Sequence, residues 1–322
     1  MQNSVKPIGG YFSLELPTTT EYHRNAIKLN SGKNCLEYIL LARHYKKVYI
    51  PYYTCSIVLK PFQKLGISYD FYHIDFQLEI AKEIKLCEDE ALLYTNYYGL
   101  KHSYVKTLAS KYGNQLIVDN TQAFYAKPIS GIDTFYTCRK FFGVADGAYL
   151  YTDTEIDIEL DQDVSYERMS HLLKRIDLSA EEGYEDFHKN DEELGKQPIM
   201  RMSKLTERIM QSIDYTASAK RRIDNFLVLH SVLSKSNQLH FELEKGVVPM
   251  VYPYLSNKEG LKETLIQNKI FVARYWPNVI EWTNKDSTEY ILTNNLQPLP
   301  IDQRYNEEDM NRIIHTILNY EY

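Results

Sequence analysis

Residues 115–126 read QLIVDNTQAFYA, and residues 133–153 read DTFYTCRKFFGVADGAYLYTD. Three β-type runs stand out, QLIVD, DTFYTC and GAYLYTD, each short, apolar and closed by polar or glycine-containing turn chemistry. Runs of this kind that do not alternate with polar residues are strands buried on both faces, as in a parallel sheet covered by helices. The first ends on a carboxylate, Asp119, and a lysine, Lys140, sits in the turn between the second and third. Upstream the same texture continues. Residues 31–45 (SGKNCLEYILLARHY) place Cys35, Leu36, Ile39 and Leu40 on one helical face and lead into the strand KKVYI, which Pro51 stops. YYTCSIVLKPFQKLG reads as a helix closed by Gly66, ISYDFYHI and ALLYTN as strands, and HSYVKTLASKYG as a helix with a glycine end. Strands alternating with helices from about residue 30 to 153 predict an α/β fold, a mostly parallel central sheet flanked by helices.

The 322 residues, 44% apolar and 25% charged, allow one large or two ordinary domains with a sizeable core. A net charge of -6 argues against a nucleic-acid partner, because the basic excess that neutralises phosphates is missing. No run approaches a membrane span, no signal peptide opens the chain, and Cys35, Cys55, Cys87 and Cys138 form no zinc-type or disulfide-framework spacing, so a reducing cytoplasm is expected. The 28 tyrosines are scattered rather than repeated, which predicts packing roles. Residues 154–195 are acidic and irregular and read as a solvated helical excursion, not a site. Residues 201–237 read as one long helix joining two lobes, followed by an α+β segment: VVPMVYPYL, GLKETLIQNKI, a strand IFVARYW and the closing helix NEEDMNRIIHTILNY. The expected division is a large α/β domain over 1–200, with an N-terminal arm, and a connecting helix with a smaller α+β domain over 201–322.

Three features carry chemistry. Asp119 belongs at the carboxyl end of a strand, where open α/β sheets place ligands. Lys140 follows the next strand. Ser31-Gly32-Lys33-Asn34 opens a helix whose free N–H groups and dipole suit an anion. Each is common alone. In this order they make a pyridoxal phosphate site: an amine to condense with the aldehyde, a carboxylate to keep the pyridine nitrogen protonated, and fixed donors for the phosphate.

At these residues the sequence resembles the DegT/DnrJ/EryC1/StrS family of fold type I pyridoxal phosphate enzymes. The resemblance rests on LNSGKNCLEYIL, KVYIPYYTCSIVLKPFQKLG, LIVDNTQAFYA, TCRKFFGVADGAYL and LQPLPIDQRYNEEDM, and spans most of the chain. It implies that Lys140 bonds the cofactor, Asp119 pairs with the pyridine nitrogen, and Gln122 lies against the ring or its hydroxyl. Gly32, Lys33, Asn34 and Thr137 would contact the phosphate. Two positions depart from the pattern. Cys55 stands where an aromatic ring stacks on the cofactor, leaving Tyr53 or Tyr52 to compensate. In the partner-subunit motif, Ile199-Met200-Arg201-Met202-Ser203, Arg201 is kept but the asparagine that reaches across the dimer is not, leaving Arg201 or Lys33 to replace it. The resemblance further implies a homodimeric aminotransferase that moves an amino group from glutamate or glutamine to a keto-sugar nucleotide. A catalytically silent cofactor-binding relative, or a non-sugar lyase or decarboxylase with the same cofactor, stands as the alternative.

Overall fold

The computed structural model describes residues 8–321. One sheet contains β1 (Ile27–Leu29), β2 (Lys47–Pro51), β3 (Ser68–Tyr72), β4 (Glu90–Thr95), β5 (Leu116–Asp119), β6 (Asp133–Thr137) and β7 (Ala148–Tyr151). Their order is β1-β7-β6-β5-β4-β2-β3. Strands β3, β2, β4, β5 and β6 run parallel, and β7 is antiparallel to both β6 and β1. The helices among them are α1 (Gly32–Arg43), α2 (Leu59–Leu65) and α3 (His102–Tyr112). After the sheet come α4 (Ser170–Asp177), α5 (Tyr184–Lys196), α6 (Lys204–Met210) and α7 (Tyr215–Leu233). The last third holds β8 (Val251–Leu255), α8 (Leu261–Gln267), α9 (Val279–Trp282), α10 (Thr288–Asn295), β9 (Leu296–Pro300) and α11 (Glu307–Glu321), with β8 and β9 paired antiparallel.

The expected mostly parallel α/β sheet is therefore present, and its strands are buried on both faces by residue alternation. Ala91, Leu93, Ile117, Phe135 and Leu150 pack with Leu36 and Ile39 of α1 and Phe62 of α2. Their neighbours Leu92, Tyr94, Val118, Tyr136 and Tyr149 face the opposite layer, which includes Phe226 and Leu229 of α7 and Tyr252 of β8. Many of the tyrosines pack, although Tyr11, Tyr166 and Tyr184 are exposed. Tyr72, Tyr94 and Tyr136 are buried, and their hydroxyls donate to the carbonyls of Leu93, Leu78 and Ala126 at 2.8, 2.7 and 3.0 Å. A ring that brings its own donor tolerates this burial only with such a partner.

Three expected elements differ. The long helix over 201–237 is two helices, because Ser203 and Asp214 each cap a new start, accepting from Thr206 N at 3.1 Å and Ala217 N at 2.9 Å. The segment around Cys55 is a turn and a single 3-10 turn over Ser56–Val58, so α2 begins only at Leu59. Residues 270–276 are not a strand: the partner edge of β8 is taken by β9, and the segment instead brings Trp276 against the Tyr53 ring at 4.6 Å.

Candidate active site

Because β7 is antiparallel to both of its neighbours, β1 runs in the same direction as β6. The residues that follow β1, β5 and β6 therefore emerge at one end of the sheet. Ser31–Asn34, Asp119–Gln122 and the Lys140 turn, separated by up to 109 residues, converge there.

Thr121 ties the three together. Its backbone N–H donates to Asp119 Oδ1 at 2.8 Å, and its hydroxyl accepts from Lys140 Nζ at 3.1 Å. A Cβ on Gly32 would lie 3.1 Å from Thr121 Cγ2, so the start of α1 approaches Thr121 as closely as a missing side chain permits. Asp119 is buried, and desolvation raises its pKa, while the Lys140 charge and Thr121 oppose that rise. Lys140 is exposed, yet the protein around its amine is dense enough that desolvation lowers its pKa, against the pull of Asp119. Gln122 is fully buried. Its Oε1 accepts from Tyr98 N at 2.9 Å, whereas its Nε2 has no partner. A buried amide N–H₂ without an acceptor is costly.

No protein-family model matches this sequence, and no curated protein matches it. Solved structures do. An aminotransferase of the DegT/DnrJ/EryC1/StrS group from Brucella abortus matches with a TM-score of 0.58 at 15% identity, over 92% of this chain and 85% of that one. Spr1654 from Streptococcus pneumoniae, a protein assigned as a sugar aminotransferase, matches in its apo form at 0.63 and 13%, over 95% and 91%. DesI, solved in the presence of its TDP-sugar product, matches at 0.60 and 11%, over 91% and 79%. The chain has the fold of the DegT/DnrJ/EryC1/StrS aminotransferases.

On this aminotransferase fold the remaining expected residues fall into two groups. Cys55 is half-buried within electrostatic reach of both Lys140 and Asp119, and burial raises its thiol pKa while the Lys140 charge opposes. Thr137 is buried at the end of β6, with its hydroxyl 3.4 Å from the Gly147 carbonyl. Tyr53 lies fully buried, its hydroxyl 2.8 Å from that of Tyr98, so it adjoins the residue that Gln122 holds. The other group points elsewhere. Lys33 Nζ donates to the carbonyls of Gly195 (3.3 Å) and Gln197 (2.8 Å), and Asn34 Nδ2 to that of Pro198 (2.6 Å). These side chains clamp the end of α5, which leaves the backbone N–H groups of Gly32 and Lys33 as the donors of this helix start. Arg201 is exposed beside β1, bridged through its backbone to Leu29 and Gln162, at a cavity of about 350 Å³ that Lys28, Tyr38 and Glu207 also line.

The acidic segment is a largely exposed helical excursion, as expected, but one edge of α5 packs against the Lys140 turn: Arg139 Nη1 meets Asp191 Oδ1 at 2.6 Å, and Asn190 Nδ2 donates to the Ala145 carbonyl at 2.9 Å. The sequence reading passed over Thr121 as well. Asp-x-Thr at a strand end is the pattern of a carboxylate accepting from the N–H two residues on, so that signal was available. For Asp191, 51 residues from Lys140, there was none.

Proposed function

We propose that this protein is a pyridoxal phosphate-dependent aminotransferase that takes an amino group from glutamate or glutamine and places it on a keto-sugar nucleotide, working as a homodimer in the cytoplasm. One observation carries the reading: the buried carboxylate, the amine and the unpartnered amide of Asp119, Lys140 and Gln122 meet at the carboxyl end of a sheet with this fold. The residues fit the cofactor. A protonated pyridine nitrogen would relieve the burial penalty on Asp119, a ring hydroxyl would satisfy Gln122 Nε2, and a phosphate would take the N–H groups that open α1. DesI's TDP-sugar product supports the substrate class.

The bound cofactor would supply an aldehyde carbon that attaches amines and a ring that takes up negative charge. Lys140 would hold it, and its lowered pKa favours the neutral amine needed both to attach and, once released, to accept a proton at the substrate carbon. Thr121 positions the Lys140 amine, and Asp119 keeps its opposite charge fixed through the Thr121 N–H. Gly32 and Lys33 N–H groups with Thr137 would receive the phosphate; Tyr53 and Cys55 would border the ring. Arg201 would serve the partner subunit. In this reading residues 1–200 form the cofactor-binding lobe and 201–322 the smaller one.

The test is spectroscopic. Protein incubated with pyridoxal phosphate should gain the visible band of the lysine-bound cofactor, lose it with glutamate or glutamine, and regain it with a keto-sugar nucleotide. A band that no amino donor changes would make the protein a silent scaffold. Carbon dioxide or ammonia released without amine transfer would make it a decarboxylase or lyase.

A further inference from the structure

Thr95 ends β4, and the parallel pairing of β4 with β5 sets it directly opposite Asp119. Leu93 and Ile117, two residues before each, pack on the α1 side of the sheet, so strand alternation turns Thr95 and Asp119 to that same side. Paired strands lie about 4.8 Å apart, which brings a hydroxyl and a carboxylate in register on one face within reach of each other. The backbone bond from Asn96 N to the Asp119 carbonyl, 3.0 Å, continues the ladder just beyond them and holds that register. Thr95 is 1% exposed, and its hydroxyl makes no hydrogen bond of full geometry. It is nonetheless close enough to the carboxylate to oppose the rise in the Asp119 pKa. On the other flank β6 sets Phe135 opposite Asp119, a ring that offers no such donor.

We propose that Thr95 is a positioning residue whose hydroxyl donates to the Asp119 carboxylate, keeping it ionised and aimed into the cleft. The inference rests on the aminotransferase reading only for what Asp119 then meets, the ring nitrogen of the cofactor. A buried carboxylate needs donors, and Thr121 N supplies one to Oδ1. A buried hydroxyl without a partner is costly, and the carboxylate across the ladder is the acceptor in register with it. A hydroxyl can also turn to accept from a protonated carboxyl, but its bond to the charged form is the stronger, so the balance favours the carboxylate. The titratable groups around Asp119 are Lys140 in the turn after β6, Cys35 of α1, Cys55 after β2 and Tyr72 of β3. Burial raises the pKa of both thiols and of the phenol, so these three stay neutral in acid. Lys140 is common to every variant compared.

The probe is the Asp119 carboxyl itself, titrated by carbon-13 NMR in the full chain without cofactor and assigned by its absence from Asp119→Asn. Thr95→Val keeps the shape of the side chain and removes the hydroxyl. It should raise the Asp119 titration midpoint by about one pH unit or more, the equivalent of a charge-assisted hydrogen bond, and Thr95→Ser should keep the wild-type midpoint. Melting curves should agree: Thr95→Val should lie closer to wild type in acid, where Asp119 is protonated, and fall behind as the pH rises. In the cofactor-loaded enzyme, Thr95→Val should lower kcat about tenfold while the KM for glutamate stays within about twofold. An unmoved midpoint in Thr95→Val overturns the proposal. So does a loss of Tm that is equal at every pH, or a serine variant that titrates like the valine one, since either would mark Thr95 as a packing residue. If wild-type protein fails to take up pyridoxal phosphate, the aminotransferase reading falls, and the carboxyl titration still decides whether Thr95 holds Asp119.

Discussion

Asp119→Asn should separate stability from activity. The carboxylate is buried, and burial raises its pKa above the ordinary 3.8, so the folded chain without cofactor holds a proton more readily than the unfolded chain does. Stability therefore falls as the pH climbs from 3.8 through the folded value, and above that value the full penalty remains. An asparagine carries no such penalty, and its Oδ1 can still accept from Thr121 N, the 2.8 Å bond that shapes the turn. The cofactor-free variant should thus melt at or above the wild-type temperature near neutral pH, the gap narrowing as the solution is acidified. Activity should move the other way. Replacing the charged partner of a protonated nitrogen by an amide removes roughly 1.5–3 kcal/mol, about 10- to 150-fold in turnover. Asp119→Ala provides the contrast, since it strands the Thr121 N–H and should be roughly 1–3 kcal/mol less stable than Asp119→Asn. Calorimetric melting over pH, with turnover followed in parallel, checks both effects. A less stable Asp119→Asn protein, or one within about threefold of wild-type turnover, would refute the reasoning, given that tenfold is the smallest loss a charged bond should show.

Lys140→Ala should not develop the visible band with pyridoxal phosphate, and borohydride reduction of wild-type protein should label Lys140; label on another lysine would overturn its assignment. Because the protein packed around its amine lowers the Lys140 pKa below 10.5, the unfolded chain binds the extra proton between the folded value and 10.5, and wild-type stability should rise with pH across that window. Lys140→Met should flatten that slope in a series of melting curves. Gln122→Glu keeps the acceptor for Tyr98 N and removes the unpartnered N–H₂ but buries a carboxylate, so the variant should melt lower near neutral pH than in acid, and it should bind pyridoxal phosphate about tenfold or more weakly in an equilibrium titration. Gly32→Ala places a Cβ 3.1 Å from Thr121 Cγ2, and the overpacking should cost about 1–3 kcal/mol in urea melts and weaken cofactor uptake through the displaced Thr121.

The parallel sheet was legible because ALLY of β4 and LIV of β5 are apolar without interruption, and only strands covered on both faces make that pattern soluble. The α1 start was legible too, since Ser31 is a capping residue and its bond to Asn34 N is local. Asp119 and Lys140 could be paired in advance because each sits at a strand end and parallel strands end together. The break between α6 and α7 was written locally as well, in Ser203 and Asp214, but apolar periodicity on both sides masked it.

What no local pattern encodes is where a polar side chain goes once distant segments pack. Lys33 and Asn34 read as part of a phosphate turn, yet their side chains turn to the carbonyls ending α5, because unsatisfied carbonyls at a helix terminus draw donors from whatever lies nearest in space. The same packing carried an acidic, apolar-poor helix onto the Lys140 turn and set Asp191 against Arg139. By itself the sequence determined most strands of the main sheet, the start of α1 and the order of the chemical groups, all of which depend on residues within a few positions of one another. Which of those groups face one another across the cleft was decided only by the tertiary structure, since hydrogen bonds and ion pairs act over a few ångströms regardless of separation along the chain.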